Sequence, residues 1–294
     1  MRKYKISKEY KMFDLISPPF CSFFFFLSKI IGTSYMFFLK SNKQLKIEKK
    51  KLKENKKINL LFYRPSKPTD KVLFYIHGGA YAYKGCRKHF KLCKEYSLKG
   101  KVNILYVDYR LMPKYHYPIP LEDCWASYQW MIENYKKLGI NLSKIIIGGD
   151  SAGGCLSVEL IHKINQSQLP KPCYQLLIYP LLDHRMQTNS MLKFKDSPGW
   201  NSLKNKKMWK MYLKDSNYLS VNEKTVKNFP PTYIETAEFD CLHDEAIEFC
   251  NKLKAEKIPF ILNETKETMH GFDRKNTSIT KSALRKRIEV LKKL

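Results

Sequence analysis

Residues 144–154, KIIIGGDSAGG, constrain the fold more than any other part of this chain. An apolar β-branched run ends at a glycine pair, and a helical pattern, residues 152–164, begins immediately after Ser151. A strand that feeds straight into a helix is one unit of an alternating architecture, and the same unit recurs. Residues 72–76 (VLFYI), 104–107 (ILYV) and 176–179 (LLIY) are short and almost wholly apolar, as strands buried on both faces are. Residues 232–235 and 260–263 continue the series, and residues 58–63 (INLLFY) read as an edge strand closed by a turn cluster at 65–70. Helical spacing fills the intervals at 121–135 and 244–255, and 279–294 reads as a closing amphipathic helix. The alternation predicts an α/β fold with a mostly parallel central sheet and helices on both faces.

The same segment carries chemistry. Gly149-Asp150-Ser151-Ala152-Gly153 fits G-x-S-x-G in the strand-to-helix context that a nucleophile elbow requires. The sharp turn presents the Ser151 hydroxyl at a helix N-terminus, where free N–H groups and the helix dipole favour developing negative charge. A second glycine pair, Gly78-Gly79, follows His77 at the end of the 72–76 strand. Acyl transfer needs preorganised N–H donors for a tetrahedral oxyanion, so Gly78, Gly79 and Ala152 are the oxyanion-hole candidates.

Six motifs, HGGA, DYRLMPKYHYPIPLED, GDSAGG, LIYPLLD, AEFDCLHDE and MHGF, occur in the order found in hormone-sensitive-lipase-like α/β hydrolases. The chain resembles that family, which includes microbial carboxylesterases and arylacetamide deacetylases, over roughly residues 70–275. The resemblance implies the α/β-hydrolase fold, with Ser151 as nucleophile, His270 as general base and Asp240 as the acid that orients it. Residue positions agree: Asp240 follows the 232–235 strand, His270 follows the 260–263 strand, and the chain order is Ser, Asp, His. The sequence departs from the family pattern at Ala80, Cys155 and Cys241, where glycine, asparagine and proline are common. None of the three removes a reacting atom.

Other polar residues in the motifs have structural readings. His77 is expected to make a hydrogen bond beneath the oxyanion loop, and His243 and Asp244 to cap a helix start. Asp150 is expected to point away from Ser151 and hold a neighbouring loop. Asp108, Arg110, Glu122 and Asp123 read as a buried charge network. Tyr81 and Tyr83, with aromatics of residues 20–38, are expected to wall a short acyl slot.

The N-terminus is read as residues 1–57, a helical cap plus a lysine-rich linker, ahead of a catalytic domain at 58–294. Residues 20–39 (FCSFFFFLSKIIGTSYMFFL) are interrupted by Lys29 and preceded by Pro18 and Pro19. The longest uninterrupted apolar stretch, 23–27, is far short of the roughly 20 residues a spanning helix needs. An amphipathic cap over the active site is the expectation. A membrane-surface or spanning anchor is the alternative, and a signal peptide, without a clear cleavage site, is third.

Net charge is +27, from 54 Lys and Arg against 27 Asp and Glu. The excess is mostly lysine spread along the chain, densest at 43–57, without a nucleic-acid-binding motif, so a solvated basic surface is expected and no nucleic-acid partner. Eight cysteines show neither CxxC pairing nor ligand spacing, which argues against a zinc site and fits a reducing, cytoplasmic setting. Neither metal nor organic cofactor is implied. The expected partner is a small-molecule ester, with weak membrane-surface association and a homodimer left open. The expected activity is a serine carboxylesterase for short- to medium-chain esters. An amidase, deacetylase or lipase of the same family is the nearest alternative, and a non-catalytic receptor the most distant.

Overall fold

The computed structural model describes residues 3–11, 19–52 and 58–294. In chain order the elements are α1 (Ser22–Phe37), β1 (Leu45–Lys51), β2 (Asn59–Pro65), β3 (Val72–Ile76), α2 (Arg87–Gly100), β4 (Asn103–Asp108), α3 (Ile119–Glu133), α4 (Tyr135–Leu138), β5 (Ile145–Asp150), α5 (Ala152–Asn165), β6 (Tyr174–Ile178), α6 (Asn189–Lys193), α7 (Ser202–Leu213), β7 (Thr232–Phe239), α8 (His243–Ala255), β8 (Phe260–Met269) and α9 (Ser278–Lys293). The strands form one sheet in the order β1-β2-β4-β3-β5-β6-β7-β8. β1, β2 and β4 pair antiparallel, and every pairing from β4 through β3 to β8 is parallel.

Both faces of the sheet are covered, which is why its central strands carry no polar alternation. Val72, Phe74 and Ile76 of β3 point into one core with Cys124 and Tyr128 of α3, Leu156 of α5 and Phe249 of α8. Leu73 and Tyr75 point into the other, with Phe90 and Tyr96 of α2 and Ile288 and Leu291 of α9. The expected α/β-hydrolase fold is therefore present.

Two sequence expectations are corrected. The lysine-rich segment is not all linker: β1 lies within it and pairs with β2 over its whole length, Leu45 with Pro65 through Lys51 with Asn59. β1, not β2, is the edge strand, and a boundary near residue 57 would fall between two paired strands of one sheet. Residues 53–57, between them, lie outside the described residues. The cap is also not N-terminal alone. The segment inserted between β6 and β7 contributes Phe194 and Trp200, from the link between α6 and α7, and Trp209 and Tyr212 of α7 to the same apolar cluster as Phe20 and Phe25 of the N-terminal segment.

Candidate active site

Ser151 stands between β5 and α5 with φ 54° and ψ −122°, a conformation a side-chain-bearing residue adopts only when its surroundings enforce it. The enforcement is crowding beneath the turn. A Cβ on Gly149 or Gly153 would lie 2.4 or 2.1 Å from the Ile76 carbonyl oxygen, so only glycine lets β3, the elbow and α5 meet this closely. The Ser151 N–H donates to the Ile178 carbonyl at 2.9 Å, tying the turn to β6.

Asp240 is the first residue past β7 and His270 the first past β8, so the parallel sheet brings both to the edge where Ser151 sits. His270 Nδ1 lies 2.6 Å from Asp240 Oδ2, and Nε2 lies 2.9 Å from Ser151 Oγ. With Nδ1–H donating to the carboxylate, Nε2 is free to accept the serine proton. The second Asp240 oxygen accepts the Leu242 N–H at 3.0 Å, and the carboxylate is buried, which fixes the ring's orientation. Asp244 does not reach His270: it accepts the Ser190 N–H at 2.7 Å and binds the His243 ring at 2.8 Å. The expected capping role is thus replaced by a tie between α8 and α6.

The oxyanion candidates divide. The Gly78 N–H donates to Asp150 Oδ1 at 2.9 Å, so it is not available to a substrate. The amides of Gly79, Ala80 and Ala152 have no acceptor among the described residues, and Gly79 and Ala80 line the cavity beside Ser151. Ala80 replaces Gly78 in the candidate set. Ala80 takes a positive φ of 52°, the backbone that a glycine would adopt more easily there.

Asp150 does hold the neighbouring loop, through Gly78 and through the Tyr75 hydroxyl at 2.7 Å. Burial opposes its ionisation, yet Lys88 at 3.1 Å and His89 at 3.2 Å hold its carboxyl well below the usual range. His77 is fully buried, and burial pushes its pKa down to about 4. Its Nδ1 lies 2.7 Å from the Gly78 carbonyl and its ring stacks on Tyr109, so its role is structural. The expected charge network resolves into separate pairs, Arg110 with Asp123 and Lys84 with Asp108. Glu122 is exposed and belongs to neither.

A cavity of about 250 Å³ opens over Ser151 and His270, walled by Tyr83, Trp200, Arg274 and, from α1, Ser28. Tyr83 stands as expected, its hydroxyl donating to the Pro19 carbonyl at 2.7 Å and its ring against Phe20 and Phe25. Tyr81 does not line the cavity. It is fully buried and stacks on Tyr212 of α7 with ring centroids 3.7 Å apart, because the turn after Ala80 sends it into the core. Trp200 and Arg274 were not anticipated, since neither lies in a motif that the chemistry requires. Among the described residues no group of His, Cys, Asp and Glu could hold a metal ion.

A serine at a β5–α5 elbow, with an aspartate and a histidine delivered from the ends of β7 and β8, the last two strands of a parallel sheet, is the arrangement of the α/β hydrolases. The chain belongs to the alpha/beta hydrolase fold family, whose pattern matches residues 73–274. Its relatives place it in the hormone-sensitive-lipase-like carboxylesterase group of that family. Esterase LipI of Mycobacterium tuberculosis is 26% identical over 215 residues, 71% of this chain and 67% of that one. Carboxylic ester hydrolase LipN of the same organism is 30% identical over 226 residues, 71% of this chain and 59% of that one. Among solved structures, a bacterial heroin esterase superposes with a TM-score of 0.81 at 26% identity, covering 91% of this chain and 89% of that one. Esterase LipW of Mycobacterium marinum, at 21% identity, shares the fold with a TM-score of 0.88 over 98% of this chain and 96% of that one.

Proposed function

We propose that this ester hydrolase works through an acyl-enzyme on Ser151 and prefers short- to medium-chain carboxylic esters. The observation that carries the reading is the unbroken Ser151–His270–Asp240 line of hydrogen bonds facing a cavity with unpaired amides. His270 Nε2 takes the Ser151 proton as Oγ attacks the ester carbonyl, and the oxyanion is held by the amides of Gly79, Ala80 and Ala152. The imidazolium, steadied by Asp240, then gives its proton to the leaving alkoxide. Water repeats the sequence on the acyl-enzyme and releases the acid, with His270 as base again.

Chain-length preference follows from the cavity. Each methylene that reaches an apolar wall gains about 0.8 kcal/mol, and in a cavity of about 250 Å³ lined by Tyr83 and Trp200 the gain ends once that volume is filled. On p-nitrophenyl esters kcat/KM is expected to peak at about four to eight acyl carbons, extrapolating that transfer gain. A rate that kept rising to palmitate would contradict this. The mechanism is tested with a fluorophosphonate probe: the wild-type protein is labelled on Ser151 and loses activity, and Ser151→Ala is neither labelled nor active. Labelling elsewhere, with turnover surviving in Ser151→Ala, would refute the nucleophile.

A further inference from the structure

Helix α1 presents apolar side chains on both of its sides. Phe25 and Gly32 are buried, with Ser28 and Met36 partly so, a spacing that marks the side packed on the protein. The opposite side holds Phe23, Phe26, Leu27, Ile30 and Ile31, continued by Phe37 and Phe38, with exposures from 38% to 72%. A helix lying on a water-facing surface normally carries charge there, and α1 has only Lys29. Contiguous exposed apolar surface of this kind marks a docking face.

Charge identifies what docks. Lys49 of β1 donates from Nζ to the Phe37 carbonyl at 2.5 Å and stands 5.5 Å from the Phe37 ring. Thr33, Met36 and Phe37 share a groove with Lys49, Lys50 and Lys51, and exposed Lys40 and Lys43 lie in the link between α1 and β1. Between residues 19 and 52 the one acidic residue is Glu48, already engaged by Lys46 at 3.4 Å and Arg64 at 3.9 Å. An apolar face rimmed by lysines complements a bilayer with anionic headgroups: the aromatics enter the acyl boundary and the ammonium groups stay among the phosphates. A second copy of the chain would instead bring the same positive rim against itself.

We infer that the outer face of α1, with the lysines of β1, seats the enzyme in the plane of an anionic membrane surface. Among the described residues no helix is long and apolar enough to cross a membrane, so the seat is interfacial. The inner side of α1 fixes what the seat does. Phe20 and Phe25 pack on Tyr83, Phe20 also on Trp200, and Ser28 reaches the cavity, so the mouth over Ser151 is held beside the lipid.

The test is co-sedimentation of the full chain with vesicles of phosphatidylcholine alone or with roughly a third phosphatidylserine, a content typical of an anionic leaflet. Ser151→Ala is run in parallel, so that binding is read independently of the catalytic reading. Wild type and Ser151→Ala are expected to bind the anionic vesicles, less so at high salt. The F26E/I30E variant should lose on the order of tenfold or more in binding while hydrolysing dissolved p-nitrophenyl butyrate normally, which shows that it is folded. K49E/K50E/K51E should lose the preference for anionic lipid. Wild-type protein that stays in the supernatant, or F26E/I30E that binds like wild type, overturns the inference. A wild-type dimer that F26E/I30E splits, with no vesicle binding by either, overturns it too and assigns the face to a second copy.

Discussion

Asp240 and Asp244 stand one helical turn apart in sequence, but only Asp240 meets His270, at 2.6 Å, while Asp244 holds the Ser190 amide. Asp240→Asn leaves Nδ1 facing an amide that can stabilise the wrong tautomer. Its kcat is expected to fall by on the order of 10⁴, as in the serine-protease precedent. Asp244→Asn should leave kcat within a few-fold, and steady-state kinetics on p-nitrophenyl butyrate would expose the reverse pattern. These residues were legible because motif, chain order and strand ends all fall within a few residues of one another. The free amides were not. Whether Gly78 or Ala80 can serve an oxyanion depends on the Asp150 carboxylate, which sits 72 residues away in sequence and takes the Gly78 N–H. Tyr81 failed for a related reason: its neighbour Tyr83 faces the cavity, and only the turn geometry decides which of the two does.

Helix α9 is held to the sheet by a charge that no surface pattern announces. Arg287 is fully buried and pairs with Glu235 of β7 and, at 2.9 Å, with Asp273, which in turn meets Lys88 of α2 at 2.9 Å. Arg287→Met would leave buried Glu235 without a cationic partner and Asp273 with Lys88 alone, and is expected to cost about 3–5 kcal/mol in urea unfolding. A variant within 1 kcal/mol of wild type would show that water or protonation relieves them, on the order of the error in such extrapolations. Helix α5 carries the opposite case. Burial raises the Glu159 pKa to about 7, with Lys224 at 3.7 Å offsetting only part of it. A carboxyl whose pKa is higher folded than unfolded binds its proton more tightly in the native state, so its contribution is intact below about pH 4.5 and is lost as pH rises through 7. From the size of that shift, the loss is on the order of 3 kcal/mol. Glu159→Gln should therefore be more stable than wild type at pH 8 and lose the advantage by pH 5, which melts at the two values would check. Elements buried on both sides, β3 to β6 and α5, were readable from apolar runs and spacing. β1 was not, because an edge strand has one side in water and its LKIEKKK sequence holds no apolar alternation beyond Leu45 and Ile47.

At the scale of the molecule, the sheet overrides the division that composition suggests. The lysine-rich stretch and the segment after it are neighbouring strands of one structure, so removing residues 1–57 would strip β1 from β2 and bare Tyr83 and Trp200 where Phe20 now covers them. Such a truncation is expected to lower the melting temperature and expose apolar surface, read as increased dye binding. A stable, dye-negative truncation would restore the linker reading. The exposed side of β1 has a consequence of its own. Asn42 and Ser41 already take backbone groups of Leu45 and Ile47 in β1, and any that stay unpaired further along the strand can recruit another chain's edge, growth by that route ending in fibres. Lys46, Lys49, Lys50 and Lys51 place ammonium groups along that rim, so two copies approaching edge to edge meet repulsion before any backbone bond can form. Strand β8 closes the opposite side with exposed Glu264, Lys266 and Glu267. The lysines of β1 thus work as a brake on pairing between two β1 edges, one that high salt or acetylation of the lysines would release.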